Sequence, residues 1–170
     1  MSKLLENATN VLLVITCAAI LAVLGRQTWG TKPERPVIQA GQRLEIPGVK
    51  FTEGRKTLVM ALQTGCHFCT ESAPFYREIL KAFEGKQNVE ALGAFPQPEP
   101  DARKYLREHG LSLDKVVEVK PGTLKIGGTP TLLLISHKGI VERVWLGKLP
   151  PKVEREVLAA SLAETVAVAR

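Results

Sequence analysis

Residues 61–76 read ALQTGCHFCTESAPFY, and the reading of this stretch decides the fold. Cys66 and Cys69 stand three positions apart. A short apolar run, Thr57–Leu62 (TLVMAL), precedes them and has the length of a buried strand. After them Phe68, Phe75, Ile79, Ala82 and Phe83 recur at helical spacing until Gly85 closes the segment. A C-x-x-C between a strand and a helix puts the first thiol at the helix N-terminus. There, unpaired backbone N–H groups and the helix dipole favour a thiolate. The second cysteine falls one turn on, sheltered but within reach. Thiol–disulfide exchange needs that asymmetry, an exposed attacker and a buried resolver. Half of a metal site and a small structural staple are the competing readings of the same two residues.

Working outward, strands and helices alternate. Val89–Phe95 is a second strand candidate, broken by Pro96 and Pro98. Asp101–His109 reads as a helix that Gly110 ends. Thr131–Ile135 (TLLLI) is the most apolar run of this part and is expected as a central strand. Lys138-Gly139 turns it back into Ile140–Leu146 as a hairpin. Pro150-Pro151 then opens a final helix with Val153, Val157, Leu158 and Leu162 on one face. The order is βαβ, helix, ββα, an α/β fold with a mixed sheet and helices expected on both faces.

Composition agrees with one such domain. The chain has 170 residues, 45% hydrophobic and 24% charged, so a packed core is expected. Three cysteines are too few for a disulfide-built scaffold. The formal charge of +6 lies after the N-terminal apolar run, because Lys3 and Glu6 cancel. Basic residues occur only as pairs such as Arg55-Lys56 and Arg103-Lys104, with no aromatic interleaving, so nucleic acid is not an expected partner. Attraction to anionic lipid or an acidic partner fits the charge better.

The N-terminus lies apart from that core. Val11–Gly25 (VLLVITCAAILAVLG) carries no charge, and counted from Ala8 the run reaches 18 residues, within the range of a spanning helix. The small-x-small pattern of a cleaved secretory signal is poor around Val23, Leu24 and Gly25, which favours a retained anchor. Cys17 reads as a lipid-facing or helix-packing residue, since Thr16 before it is larger than lipoprotein processing expects. Residues 1–7 are then a cytoplasmic N-terminus, 8–25 a transmembrane anchor, and 26–43 a short stiff linker containing Pro33, Pro36 and Gly41. Arg26, Lys32 and Arg35 after the anchor oppose export under the positive-inside rule, although long following domains translocate regardless of charge.

The C-x-x-C, Pro74 five residues after Cys69, and Gly127-Gly128-Thr129-Pro130-Thr131 before the LLLI strand together resemble the thioredoxin superfamily. The match covers roughly residues 44–162, and the resemblance assigns 44–170 to a thioredoxin-like domain. It implies that Cys66 is the nucleophile forming a mixed disulfide and that Cys69 releases it. It also implies that Pro130 is cis and shapes the substrate groove, while Thr129 offers backbone hydrogen bonds to an extended substrate segment. His67 and Phe68, between the cysteines, would tune the pair, an imidazolium beside Cys66 favouring its thiolate. Many thioredoxins have a buried acid six residues before the first cysteine, and here Met60 stands there. The anchor and the GxPT-type loop look most like the exported TlpA-like and Dsb-like proteins.

The resemblance therefore implies a membrane-anchored thiol:disulfide oxidoreductase in the inner or plasma membrane. Its domain would face the periplasmic or extracytoplasmic side and act on cysteines of exported proteins. No cofactor beyond the redox-active Cys66–Cys69 disulfide and no bound metal are expected, and a membrane electron-transfer partner would suit the anchor. As a staple the disulfide would contribute only about 2 kcal/mol for a four-residue loop. The reading from another class is a copper-binding assembly factor of the same fold, with His137 as the candidate distant ligand. Zinc would need four ligands, and there is no second cysteine pair. Gln63, three before Cys66, stands where a peroxiredoxin-type site needs threonine.

Overall fold

Leu58, Met60 and Leu62 point into one buried cluster, and Val59 and Ala61 into another. This is the period of two that a strand imposes on side chains, here with both faces covered. The computed structural model, which describes residues 2–29 and 37–163, places this run as β1 (Lys56–Ala61). The remaining strands are β2 (Val89–Phe95), β3 (Lys115–Glu118), β4 (Thr131–Ile135) and β5 (Val141–Leu146). The sheet order is β3-β2-β1-β4-β5. β1, β2 and β3 run parallel, while β4 is antiparallel to both β1 and β5. Four of the five strands match the sequence reading. β3 was not anticipated, because KVVE is short and its outer residues are exposed. Pairing along β2, from Leu92–Lys115 to Phe95–Glu118, makes it a strand.

Four helices accompany the sheet: α2 (His67–Glu71), α3 (Ala73–Phe83), α4 (Glu99–Glu108) and α5 (Pro151–Leu162). The helix after the cysteines is in two pieces, with Ser72 between them and Pro74 in the first turn of the second. Proline fits a first turn, where its missing N–H would have no partner, and cannot continue a helix from before it. In α3, Phe75, Tyr76, Ile79 and Phe83 form the buried stripe. Gly110 (φ +65°) closes α4 in the left-handed conformation that glycine adopts without strain. Gly139 (φ +75°) turns the β4–β5 hairpin, its N–H donating to the Ser136 carbonyl at 2.9 Å.

Helices were expected on both faces, and the two faces in fact differ. Residues of α3, α4 and α5 all join the cluster containing Leu58, Met60, Leu132 and Leu134. The cluster of Val59, Ala61, Leu133 and Ile135 is closed by Ile38, Leu44, Ile46, Val119 and Leu124, which lie in extended segments and loops. Ile38 donates its N–H to the Lys125 carbonyl at 2.7 Å, and Gly41 donates to Val141 at 2.8 Å. The packed part of the chain thus begins before residue 44, with Ile38 buried inside the segment expected as linker. Residues 30–36 of the expected linker lie outside the described residues.

Met1–Arg35 forms a separate unit from Pro36–Arg170. It contains α1 (Ser2–Trp29), a 28-residue helix on which Val11, Leu12, Leu13, Val14 and Ile15 are all exposed. Among the described residues no helix is long and apolar enough to cross a membrane.

Candidate active site

Cys66 has extended backbone (φ −77°, ψ 112°) and caps the N-terminus of α2. Its Sγ accepts the Cys69 backbone N–H at 3.2 Å, so one of the unpaired donors of the helix end is aimed at the sulfur. Cys66 and Cys69 are joined as a disulfide with Cα atoms 5.2 Å apart. Cys69 is fully buried against Leu58, Met60, Phe75 and Ile79, whereas Cys66 is half-buried at the edge of the same cluster. Incoming sulfur can therefore reach Cys66 but not Cys69.

The sheet brings the second half of the site to this point. Thr131 pairs with Ala61, so β4 begins beside the place where β1 ends. The Thr129–Pro130 peptide is cis, and the Thr129 carbonyl oxygen lies 3.5 Å from the Cys66 sulfur. Pro130 is buried and offers no N–H; its carbonyl accepts the Gly147 N–H at 2.7 Å. Thr131 Oγ1 donates to the Gly128 carbonyl at 2.6 Å, holding the loop that precedes the proline. Cys66, Cys69, Thr129 and Pro130 are thus one constellation built from two segments some sixty residues apart.

His67 and Phe68 face outward from it, His67 with 76% of its side chain exposed and Phe68 with 54% of the residue. Their rings are tilted against one another at 5.6 Å between centroids. His67 Nε2 lies 3.2 Å from Glu71 Oε1, an i,i+4 pair on α2. The other carboxylate oxygen of Glu71 accepts from Lys148 Nζ at 3.1 Å. The hydrogen bond and charge of Lys148, with His67 contributing less, hold the Glu71 carboxyl below its ordinary range. Glu71 and Lys148 were missed in the sequence. The His67–Glu71 spacing was a visible signal, but Lys148 comes from the loop after β5.

Met60 occupies the interior position below the cysteines and is fully buried. The Cys69 cluster includes two tyrosines, Tyr76 and Tyr105. Burial pushes both hydroxyls above their ordinary range, so at neutral pH neither takes a proton from a thiol. His137 sits past the far end of β4, a strand of five residues, roughly 16 Å from the end where the cysteines lie. That placement removes it as a ligand partner for Cys66 and Cys69. Among the described residues, no group of three or more His, Cys, Asp or Glu side chains is arranged to hold a metal ion.

No protein-family model and no curated protein matches the sequence. Solved structures do match the backbone. The thioredoxin domain of a thiol-disulfide oxidoreductase from Bacteroides vulgatus superposes with a TM-score of 0.57 at 17% identity, covering 74% of this chain and 99% of that one. A thiol-disulfide isomerase from Corynebacterium glutamicum gives 0.55 at 20% identity, covering 77% of this chain and 98% of that one. A thioredoxin-family thiol:disulfide interchange protein from Chlorobium tepidum gives 0.55 at 18%, covering 72% and 96%. The fold is thioredoxin-like. Within this thioredoxin-like domain the C-x-x-C follows β1, Pro74 lies in the first turn of α3 and the proline loop precedes β4, the three placements on which the sequence resemblance rested.

Proposed function

We propose that the protein is a thiol:disulfide oxidoreductase that acts through Cys66 and Cys69 on cysteines of exported proteins, held to a membrane by α1. The observation that carries the chemistry is the pairing of a half-buried sulfur at a helix start with a fully buried one, beside a proline loop. In the reducing direction the Cys66 thiolate attacks one sulfur of a substrate disulfide. A Cys66–substrate S–S bond forms, and the other substrate sulfur leaves as a thiolate and takes up a proton. Cys69, as its thiolate, then attacks Cys66; the mixed disulfide breaks, the second substrate thiol departs, and the Cys66–Cys69 disulfide remains. Two electrons and two protons have passed to the substrate. Run backwards, the same steps oxidise a dithiol.

Each residue has a part in this sequence. The Cys69 N–H stabilises negative charge on Cys66. The Thr129 backbone lies where an extended substrate segment would align with the sulfur. Pro130 keeps a backbone donor away from the thiols. Met60 stands where an acid could take a proton from Cys69, and burial keeps the Tyr76 and Tyr105 hydroxyls protonated.

Equilibration of the full chain with glutathione buffers tests the exchange reading. A potential near −270 mV, about that of thioredoxin, marks a reductant that a membrane electron donor must recharge. One nearer about −120 mV marks an oxidant. A pair that never equilibrates removes the exchange reading.

Membrane attachment is supported by the charge-free run 11–25 and by apolar side chains exposed on consecutive positions of α1. The charge-free run 8–25 within this helix extends roughly 27 Å at 1.5 Å per residue, close to a bilayer core of about 30 Å. The chain is expected in the membrane fraction after alkaline carbonate washing, and Leu13→Arg with Ile15→Arg is expected to release it. Recovery of the unaltered chain in the wash would end the anchor reading. Labelling of reduced Cys66 in intact cells by a membrane-impermeant maleimide is expected if the domain faces outward.

A further inference from the structure

Glu71 uses both oxygens of its carboxylate, one on His67 at 3.2 Å and one on Lys148 at 3.1 Å. His67 belongs to the same turn as Cys66. Lys148 follows Gly147, whose N–H is bonded to the Pro130 carbonyl at 2.7 Å. The loop after β5 therefore touches both halves of the site, the proline loop through its backbone and the cysteine helix through a lysine. The geometry points to Glu71 and Lys148 as a pair of positioning residues that set the charge presented to the Cys66 sulfur and, with it, the balance between dithiol and disulfide. The inference rests on the exchange reading above and extends it to two residues outside the C-x-x-C.

Charge explains the arrangement. Glu71 is five residues from Cys66, a rise of roughly 7–8 Å along the helix axis and within about one Debye length at moderate salt, so its carboxylate opposes a thiolate there through solvent. Lys148 neutralises that carboxylate from the loop after β5. When the disulfide is reduced, two electrons and two protons enter, and one of the protons can leave Cys66. The reduced state alone then carries a negative sulfur, so charges nearby act on it and leave the disulfide unaffected. Removing the carboxylate favours the thiolate; removing the ammonium disfavours it. The side chains are 36% and 52% exposed, so water and salt screen the interaction and the expected effects are small.

The two substitutions therefore move the same quantity in opposite directions. Glu71→Gln in the full chain is expected to speed iodoacetamide alkylation of reduced Cys66 at pH 6 about two-fold and to shift the glutathione equilibrium by about the same factor toward the dithiol. Lys148→Met is expected to slow alkylation about two-fold and to shift the equilibrium toward the disulfide. The double variant is expected close to the unaltered protein, and all three differences are expected to shrink in 1 M salt. A merely structural latch would change thermal stability and leave these rates alone. Two single variants that shift in the same direction, or rates unmoved by either, overturn the proposal. Alkylation of Cys66 reads the charge effect even in a protein that does not equilibrate with glutathione. Failure of the exchange reading is therefore told apart from failure of this one.

Discussion

The two ends of β1 carry a similar motif, a carboxylate held between two basic side chains, in opposite settings. At its start, Glu90 accepts from Lys115 at 2.7 Å, from Arg55 at 3.3 Å and from Thr57 at 3.2 Å, with only 12% of its side chain exposed. Close by, the buried Lys56 pairs with Glu142 at 3.2 Å. At its end, Glu71 sits between His67 and Lys148, well exposed. Both carboxyls are held below their ordinary range, although by different balances. At Glu90 burial pushes upward and is outweighed by Lys115, Thr57 and Arg55; at Glu71 the Lys148 hydrogen bond leads. The difference lies in what stands nearby. Glu90 has only partners of fixed charge, so its network is structural. Glu71 sits on the helix that Cys66 caps, so under the charge proposal above a similar pairing acquires a chemical consequence.

The strongest way to break this contrast is Cys66→Ser. Exchange activity is expected to vanish, while the melting temperature stays close to that of the reduced unaltered protein, measured by circular dichroism. A large loss of stability against that reference would mean that the cysteine end is structural as well. Next comes Ile79→Ala, which empties a fully buried position on α3 beneath the site and is expected to cost 2–5 kcal/mol in denaturant unfolding. Exchange activity per folded molecule is expected to persist, which separates packing from chemistry.

Glu90→Gln sharpens the other side. It leaves Arg55 and Lys115 without their carboxylate and is expected to cost about 1–3 kcal/mol at neutral pH, with the Cys66 alkylation rate unchanged. Because the folded chain holds this carboxyl below its unfolded value, its stabilising effect is complete above the unfolded value of about 4.3 and fades as pH falls through the folded one. Melting temperatures followed from pH 6 downward are expected to drop less steeply in Glu90→Gln than in the unaltered chain. Equal slopes would show that Glu90 does not contribute to acid sensitivity. The smallest effect is expected at Arg143–Glu156, a 2.7 Å pair with both side chains about half exposed. Glu156→Ala should change stability by no more than about 0.5 kcal/mol in the same unfolding assay.

Several elements were legible before any coordinates because their signals are local. The short apolar runs TLVMAL and TLLLI announce buried strands. Phe75, Ile79 and Phe83 lie one or two turns apart and predict the buried stripe of α3. The proline five residues after Cys69 anticipates the break at Ser72. Less was visible where a segment depends on distant partners. KVVE becomes a strand only because β2 offers it an edge, and Ile38 and Leu44 become core only because extended segments and loops close the cluster of Val59 and Ile135.

Sequence by itself determined the dithiol, the sheltering of its second member and the succession of strands and helices. Backbone periodicity and helix termini act over a few residues and are written in neighbouring letters. Only the tertiary structure decided that Thr129 lies 3.5 Å from Cys66, that Lys148 reaches Glu71 across 77 positions, and that His137 is carried to the opposite end of the sheet. Those distances follow from antiparallel pairing of β4 with β1 and from the path of a loop. They are set by packing of the whole domain, which no short stretch of sequence encodes.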